Sequence, residues 1–349
     1  MTRIAVLGTG ANGGSVGADL ARAGLDVTFV EQWPEHVRAI REHGIRIEMP
    51  DASEVTRVRA IDLCEVATLR ESFDVVLVMV KAYDTRWACE LISSVLAPGG
   101  VVVGIQNGMT LETIADVVGA DRALGAVIEV ASTMFDPGVV QRDTPRSQSW
   151  FAVGGLTPMA QERAAEVAGL LRHSGTVEVS DDILSSKWMK LVANATELVT
   201  SAVLNTTVRA AAEIPGMREL MIEAGNEAVR TGIAAGRTIR PVLGLDAAAV
   251  ADPEQIATVL LDVVHDTFSI DGQKTTVLQD WLKGRRSEVH QLNGYVATEA
   301  ERLGLSAPVN RRILDLAVRI EEGSLEAGSH VATLLLETVA SSVYAGRDT

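Results

Sequence analysis

Residues 4–13 read Ile4-Ala5-Val6-Leu7-Gly8-Thr9-Gly10-Ala11-Asn12-Gly13, and this stretch decides the fold. An apolar run breaks into a glycine-rich turn, and a helix-like segment and a second apolar run ending on Glu31 follow. This order predicts a dinucleotide-binding βαβ unit. We expect Gly8 to allow the tight turn, Gly10 to let a pyrophosphate approach the backbone, and Gly13 to let the helix pack closely on the strand.

The same unit supplies the predicted cofactor site. Free N–H groups at the start of the helix favour a pyrophosphate, because the helix dipole is positive there. Glu31 lies 18 residues beyond Gly13, about where an acid that accepts hydrogen bonds from the adenosine ribose is expected. The predicted cofactor-binding residues all belong to the glycine turn or to a strand end: Gly8, Gly10, Ala11, Asn12, Gly13, Glu31, Lys81 and Asn107.

Composition describes a globular protein. The chain has 349 residues, 47% apolar and 22% charged, which is enough for two domains with separate cores. A net charge of −15 argues against a nucleic-acid partner, because phosphates would be repelled. Two cysteines without metal-like spacing indicate a reducing compartment, no disulfide framework and no metal site. With no membrane span or leader peptide in the pattern, we expect a cytoplasmic protein.

The predicted secondary structure changes near residue 180. Strand-like and helix-like segments alternate before it, as an α/β sheet requires, and helical periodicity dominates after it. We therefore predict a dinucleotide-binding Rossmann domain over 1–180 and an all-α substrate and dimerisation domain over 181–349. The apolar helix-like piece at 332–343 has no predicted function beyond packing or an oligomer contact.

Several polar residues stand where chemistry is expected. Lys81 and Asn107 follow strand-like runs, and ligands of open α/β sheets bind beyond the carboxyl ends of strands. Lys190 and Asn194 share a helix face flanked by apolar and small residues, so a lysine there needs a partner or a purpose. Each residue also has a non-functional interpretation. Lys81 and Asn107 would be solvated loop side chains, and Lys190 would be a lysine whose stem reaches water. Glu288 would be a surface acid in the first turn of a helix.

Taken together, these motifs resemble the ketopantoate reductase (2-dehydropantoate 2-reductase) family over roughly residues 3–320. The features that recur in order are the glycine fingerprint, Lys81, Asn107-Gly108, the Lys190-Leu-x-x-Asn194 helix, and Leu278-Gln279-Asp280 followed by Arg285–Gly294. The resemblance implies a Rossmann domain joined to a helical domain similar to that of 6-phosphogluconate dehydrogenase, with the active site in the cleft between them.

The resemblance also implies roles. Lys190 would be the general acid that donates a proton to the ketone oxygen as hydride arrives from the nicotinamide. A cation aimed at that oxygen stabilises the transition state more than the ground state. Asn194 would orient the substrate oxygens, and Glu288 would hold a substrate hydroxyl and the lysine network. Asn107 and Lys81 would contact the ribose or nicotinamide end of the cofactor and the edge of the substrate site.

Three positions depart from the family pattern on the substrate side. Leu198 and Gln273 stand where asparagines are common, and Thr276 stands where a serine is common. The predicted substrate residues are therefore both shared and divergent: Asn107, Asn194, Leu198, Gln273, Thr276 and Glu288. This side of the pocket is less polar than a ketopantoate site should be.

The predicted cofactor is NAD(H) in preference to NADP(H). Many relatives place a basic residue near the end of the second strand, whereas here that strand ends in Glu31-Gln32-Trp33, and an acid repels a 2′-phosphate. Arg38 and Arg41, on the following helix, are the residues that could restore phosphate binding.

The predicted function is an NAD(P)H-dependent oxidoreductase that acts on CH–OH groups and interconverts a 2-oxo acid, ketopantoate or a relative, and its 2-hydroxy acid. One alternative is a dehydrogenase of the same family that acts on a larger or more apolar alcohol or ketone. Two others are a non-catalytic NADH sensor and a scaffold with a vestigial fingerprint. The expected partners are a small-molecule carbonyl or alcohol substrate and a second copy in a homodimer, with no nucleic acid and no membrane.

Overall fold

The computed structural model describes residues 2–265 and 274–337. The chain divides into two compact units, Met1–Lys187 and Trp188–Thr349. The division falls within one long helix, and the boundary predicted after residue 180 lies just before that helix begins.

The first unit alternates strands and helices. Its strands are β1 (Arg3–Leu7), β2 (Asp26–Glu31), β3 (Ile45–Met49), β4 (Ala52–Thr56), β5 (Arg59–Asp62), β6 (Phe73–Val78), β7 (Leu96–Ile105), β8 (Ala123–Glu129), β9 (Ser132–Thr133), β10 (Val139–Arg142), β11 (Trp150–Gly155) and β12 (Thr176–Val179). Its helices are α1 (Ala11–Arg22), α2 (Pro34–His43), α3 (Thr85–Ser93), α4 (Leu111–Val118), α5 (Pro158–Glu162) and α6 (Ala164–Leu171).

Eight of these strands form one sheet in the order β12-β11-β8-β7-β6-β1-β2-β5. The pairs from β8 to β5 are parallel, and β11 runs antiparallel to β8. Buried aliphatic side chains of β1, β6 and β7 fill both faces, as a parallel sheet covered on both sides requires. The Rossmann-type N-terminal fold predicted from the sequence is confirmed.

A second, four-stranded sheet of order β4-β3-β10-β9 was not predicted. It joins the β3–β4 hairpin to a parallel partner, β10, nearly a hundred residues later. A buried ion pair fixes this segment to helix α1, because Arg142 Nη1 lies 2.5 Å from Asp19 Oδ2 and neither side chain is exposed. Ser174 Oγ also donates to Asp19, at 2.7 Å, so the acid is bound by several donors.

In its described residues the second unit is built from helices. They are the remainder of α7 (Ile183–Val203), α8 (Val208–Glu213), α9 (Met217–Ala234), α10 (Ile256–Val263), α11 (Thr276–Leu282), α12 (Asn293–Arg302) and α13 (Pro308–Glu321). The helical C-terminal domain is confirmed, and α7 has the limits expected from the sequence. Residues 332–337 of the apolar tail piece are helical, and 338–343 lie outside the described residues. Among the helices of the described residues, none is long and apolar enough to cross a membrane.

Candidate active site

The glycine fingerprint has the geometry that its sequence predicts. Gly8 has φ +90°, a left-handed conformation that side chains rarely adopt, and a Cβ there would lie 2.7 Å from Val80 N. A Cβ at Gly13 would lie 2.0 Å from the Gly8 carbonyl oxygen, so only glycine lets helix α1 pack against the turn. At Gly10 a Cβ would meet nothing within 4 Å. The turn therefore has open space at the glycine that a pyrophosphate should approach.

Helix α1 begins at this open space. Gly10 is its N-cap, and within the described residues no side chain caps it, so the N-terminus presents backbone N–H groups and the positive end of the helix dipole. Ala11 and Asn12 form the first turn, and the Ser132 hydroxyl donates to Asn12 Oδ1 at 2.5 Å. These residues fit the diphosphate of a dinucleotide.

Glu31 is buried, with 6% of its surface exposed, and its carboxylate binds the chain itself. Oε2 accepts from the backbone N–H and the hydroxyl of Thr9, at 2.6 and 2.9 Å. Oε1 accepts from the backbone N–H groups of Gln32 and Trp33, at 2.8 and 3.0 Å. About four acceptor positions are available on a carboxylate, so a ribose hydroxyl would compete with these bonds. In this structure Glu31 holds the glycine turn against the end of β2, and its contact with ribose stays a prediction.

His36, which the sequence did not single out, holds the same turn from the other side. Its Nδ1 accepts from the backbone N–H of Gly138 at 2.8 Å, so the ring proton is on Nε2, which donates to the Thr9 carbonyl oxygen at 2.9 Å. The ring is fully buried and stacks on Trp33. The backbone of Thr9 is thus fixed by Glu31 and His36 together.

Lys81 and Asn107 follow two neighbouring strands, β6 and β7. Gln106 links the two strand ends, because its Nε2 donates to the carbonyl oxygens of Val80 at 2.8 Å and Lys81 at 3.4 Å. The sheet order then places Glu31, the glycine turn, Lys81 and Asn107 along one edge, at the ends of β2, β1, β6 and β7. With strands about 4.8 Å apart, this edge spans roughly 14 Å, which suits an extended dinucleotide.

Lys187 is a functional candidate that the sequence reasoning missed. Only 3% of its surface is exposed, and its Nζ donates to the carbonyl oxygens of Gln106 at 2.8 Å and Ala126 at 3.3 Å. A buried ammonium requires such partners. It therefore anchors the start of α7 to the strand end that carries Asn107. In the sequence, the feature that could have indicated this residue is a second lysine one helical turn before Lys190.

In the second unit, helix α7 carries the predicted catalytic face. From Ser185 to Val203 every residue is buried except Lys190 and Leu198, which are partly exposed. Asn194 lies between them at helical spacing, with 1% of its surface exposed. One face of α7 thus places an ammonium, an amide and an isobutyl side chain in a row.

The residues before α11 adjoin the end of this row. Thr275 Oγ1 donates to the carbonyl oxygen of Leu198 at 3.1 Å. The neighbouring Thr276 hydroxyl is buried and has no hydrogen-bond partner among the described residues. A polar group of a bound substrate is one partner that would satisfy this hydroxyl. Gln273, the remaining predicted substrate residue, lies outside the described residues.

Glu288 is buried and lies between two residues that α13 fixes. Glu321 Oε1, on α13, accepts from the backbone N–H of Ser287 at 2.9 Å and from its hydroxyl at 2.5 Å. Asn293 Nδ2 donates to Asn310 Oδ1 at 2.9 Å. Within the part of the chain that is described, no group of three or more His, Cys, Asp or Glu side chains could hold a metal ion.

Two family models match this chain. The model described as ketopantoate reductase PanE/ApbA matches residues 4–154, and the model of its C-terminal domain matches residues 182–321. Among curated proteins, the 2-dehydropantoate 2-reductase of Archaeoglobus fulgidus is 27% identical over 323 residues, which cover 92% of this chain and 98% of the relative. That of Halobacterium salinarum is 27% identical over 322 residues, 90% and 97% of the two chains.

Solved structures of similar fold include members of the same family. The PanE/ApbA family ketopantoate reductase from Ralstonia eutropha JMP134 superposes with a TM-score of 0.77 and 26% identity, covering 92% of this chain and 99% of the other. D-mandelate dehydrogenase bound to NADH and anilino(oxo)acetate has the same fold, with a TM-score of 0.82, 20% identity and coverage of 92% and 99%. The protein is an oxidoreductase that acts on CH–OH groups and uses a nicotinamide cofactor to interconvert a 2-oxo acid and its 2-hydroxy acid. The chain belongs to the ketopantoate reductase family.

Proposed function

We propose that Lys190 is the general acid of this reaction and that NADH is the preferred cofactor. A bound nicotinamide supplies the hydride to the carbonyl carbon. The Lys190 ammonium donates a hydrogen bond to the carbonyl oxygen and passes it a proton as negative charge develops there. The C=O double bond becomes CH–OH, and Lys190 is left neutral until solvent reprotonates it.

The observation that carries this proposal is the row of Lys190, Asn194 and Leu198 on α7. Only the first and last of these side chains are partly exposed in an otherwise buried helix segment. In this proposal Asn194 orients the substrate oxygens, and Glu288 accepts from a substrate hydroxyl. Asn107 and Lys81, at the ends of β7 and β6, bind the ribose or nicotinamide end of the cofactor and the edge of the substrate.

The charges near the end of β2 support the preference for NADH. Gln32 is neutral where a phosphate-binding residue would stand, and the buried Glu31 precedes it. Both arginines that could restore phosphate binding have partners: Arg38 pairs with Glu35 at 3.1 Å, and Arg41 donates to the Ala60 carbonyl oxygen at 2.8 Å.

The cofactor test is kcat/KM for NADH and for NADPH with one 2-oxo acid. We expect NADH to be favoured at least tenfold, and Gln32→Arg to reduce this ratio because it adds a cation for the 2′-phosphate. Gln148→Arg, which adds the same charge at an exposed position between β10 and β11, is the matched control and should leave the ratio unchanged. A clear preference of the unmodified enzyme for NADPH would contradict the proposal.

Leu198 favours a substrate with an apolar substituent on the 2-oxo acid. Its isobutyl group is partly exposed on a helix segment that is otherwise buried except at Lys190. A hydroxylated substituent such as that of ketopantoate would lose hydrogen bonds beside leucine. In a panel of 2-oxo acids, branched or aromatic substituents should therefore give the higher kcat/KM, and Leu198→Asn should shift the order toward ketopantoate. A wild-type preference for ketopantoate would refute this choice of substituent.

The binding-only alternative predicts NADH affinity without turnover, so calorimetry and the same panel separate it from an enzyme. We also propose a cytoplasmic homodimer, on the strength of the acidic, cysteine-poor composition and the apolar C-terminal helices. Light scattering of the full chain tests the oligomeric state, and a monomer at micromolar concentration would exclude the dimer.

A further inference from the structure

Helix α13 contacts both ends of the segment that carries Glu288. At the start of the segment, Glu321 accepts from the backbone N–H and hydroxyl of Ser287. At its end, Asn310 Oδ1 accepts from Asn293 Nδ2 at 2.9 Å. Residues 287–293 are thus held at two points by side chains separated by three turns of one helix.

The same network reaches helix α7. Asn293 Nδ2 donates a second hydrogen bond, to the carbonyl oxygen of Ala195 at 2.8 Å. Ala195 directly follows Asn194, so one amide group links the substrate-binding helix to the Glu288 segment. Both acceptors are oxygens, which fixes the orientation of the Asn293 amide.

A buried acid sets the position of α13. Glu227, on α9, is 1% exposed and accepts from the backbone N–H groups of Val309 and Asn310, both at 2.9 Å, in the first turn of α13. It also accepts from Asn310 Nδ2 at 2.7 Å. A carboxylate here satisfies donors that no helical carbonyl can reach. Burial raises the pKa of Glu227, and these hydrogen bonds lower it in part.

We propose that Glu227, Asn310, Asn293 and Glu321 are positioning residues for the reaction: through α13 they set the place of Glu288 relative to Asn194. This inference rests on the proposed roles of Glu288 and Asn194. The contacts of this network end at Ala195, which follows Asn194, and at Ser287, which precedes Glu288. A misplacement of about 1 Å in such groups can cost a hundredfold in rate.

Glu321→Ala gives one test, because Glu321 is exposed and its loss should leave the helix folded. We expect kcat for a 2-oxo acid to fall about tenfold, with the Kd for NADH within twofold of wild type. Glu321 Oε1 also accepts from Trp281 Nε1 on α11 at 3.0 Å, so Trp281→Phe, which removes that bond alone, is measured beside it and should keep kcat within twofold of wild type. Glu322→Ala, the exposed neighbour, is the matched control and should keep wild-type kcat. A Glu321→Ala variant with wild-type kcat and KM would overturn the inference.

Asn293→Asp gives a second readout. The new carboxylate oxygen would face the carbonyl oxygen of Ala195 and Oδ1 of Asn310. A protonated carboxyl group has a single O–H, so one of the two bonds re-forms, and only when the acid is protonated. Its kcat relative to wild type should therefore rise as the pH falls, whereas a purely structural role would alter unfolding alone and leave this ratio flat.

Hydrogen exchange separates this inference from the proposed function. If wild type turns over no 2-oxo acid, the roles of Lys190 and Glu288 are wrong. Residues 287–293 should still exchange faster in Glu321→Ala than in Glu322→Ala. Equal exchange rates in the two variants would refute the positioning role by itself.

Discussion

Gly10→Ala and Gly13→Ala should impair the enzyme for different physical reasons. At Gly13 the new Cβ would lie 2.0 Å from the Gly8 carbonyl oxygen, and ordinary contact begins at 3.4 Å, so the backbone of the turn must move by roughly 1.4 Å. We expect the free energy of unfolding to fall by about 2–3 kcal/mol, as for other overpacked sites.

At Gly10 the new Cβ meets nothing within 4 Å. The weaker N-cap preference of alanine is offset by the lower entropy of its unfolded chain, so stability should change by less than about 0.5 kcal/mol. The methyl group instead occupies the approach of the pyrophosphate. Losing one charge-assisted hydrogen bond costs about 1.5–3 kcal/mol, or roughly a 10- to 150-fold weaker Kd for NADH.

Urea unfolding and calorimetric titration with NADH measure the two effects separately. Gly10→Ala should keep its unfolding midpoint and lose affinity, and Gly13→Ala should lose both. An affinity of Gly10→Ala within twofold of wild type, or equal destabilisation by the two variants, would refute the assignment of the turn.

Three buried groups, Asp19, Lys187 and Cys89, give further predictions. Asp19→Asn should lower the free energy of unfolding by about 3–5 kcal/mol, because its buried partner Arg142 loses its counter-charge. In the same urea titration, Glu35→Gln, which breaks the exposed pair with Arg38, should cost less than about 1 kcal/mol. Lys187→Met should cost about 1–3 kcal/mol, since two strand-end carbonyls lose their donor, and an unchanged unfolding midpoint would show that the anchor is dispensable. Burial raises the pKa of Cys89 to about 12, so at pH 8 iodoacetamide should label the exposed Cys64 and spare Cys89 until the chain unfolds. The folded pKa of Cys89 lies above its usual value of 9.0, so its contribution to stability is present below pH 9 and is lost as pH rises toward 12, a slope that Cys89→Ala should remove.

The first βαβ unit could be predicted because its signals are local. An apolar run, three glycines and an acid at fixed offsets specify strand, turn and helix within about thirty residues. The four-stranded sheet was missed because β3 and β10 pair across a long separation, and neither strand shows more than a short, mixed pattern. Register between distant strands is a tertiary property that periodicity does not encode.

The candidate site also has a part that the sequence predicts and a part that only the fold shows. Lys190, Asn194 and Glu288 were named from their motifs, and their catalytic roles stay predictions. The donors to Glu31 include a residue 22 positions away, and the acceptors of Lys187 lie 61 and 81 positions away. Such partners are fixed only when the sheet forms. Sequence could therefore name the charged groups, and the fold was needed to show which of them bind the chain itself.

Turnover of the Lys190→Ala variant tests the central claim most directly. With NADH and a 2-oxo acid that wild type reduces, we expect kcat to fall by about 10²–10⁴-fold, the usual contribution of a general acid, while the Kd for NADH stays within threefold. A fall of less than tenfold in kcat would contradict the assignment of Lys190 as the proton donor.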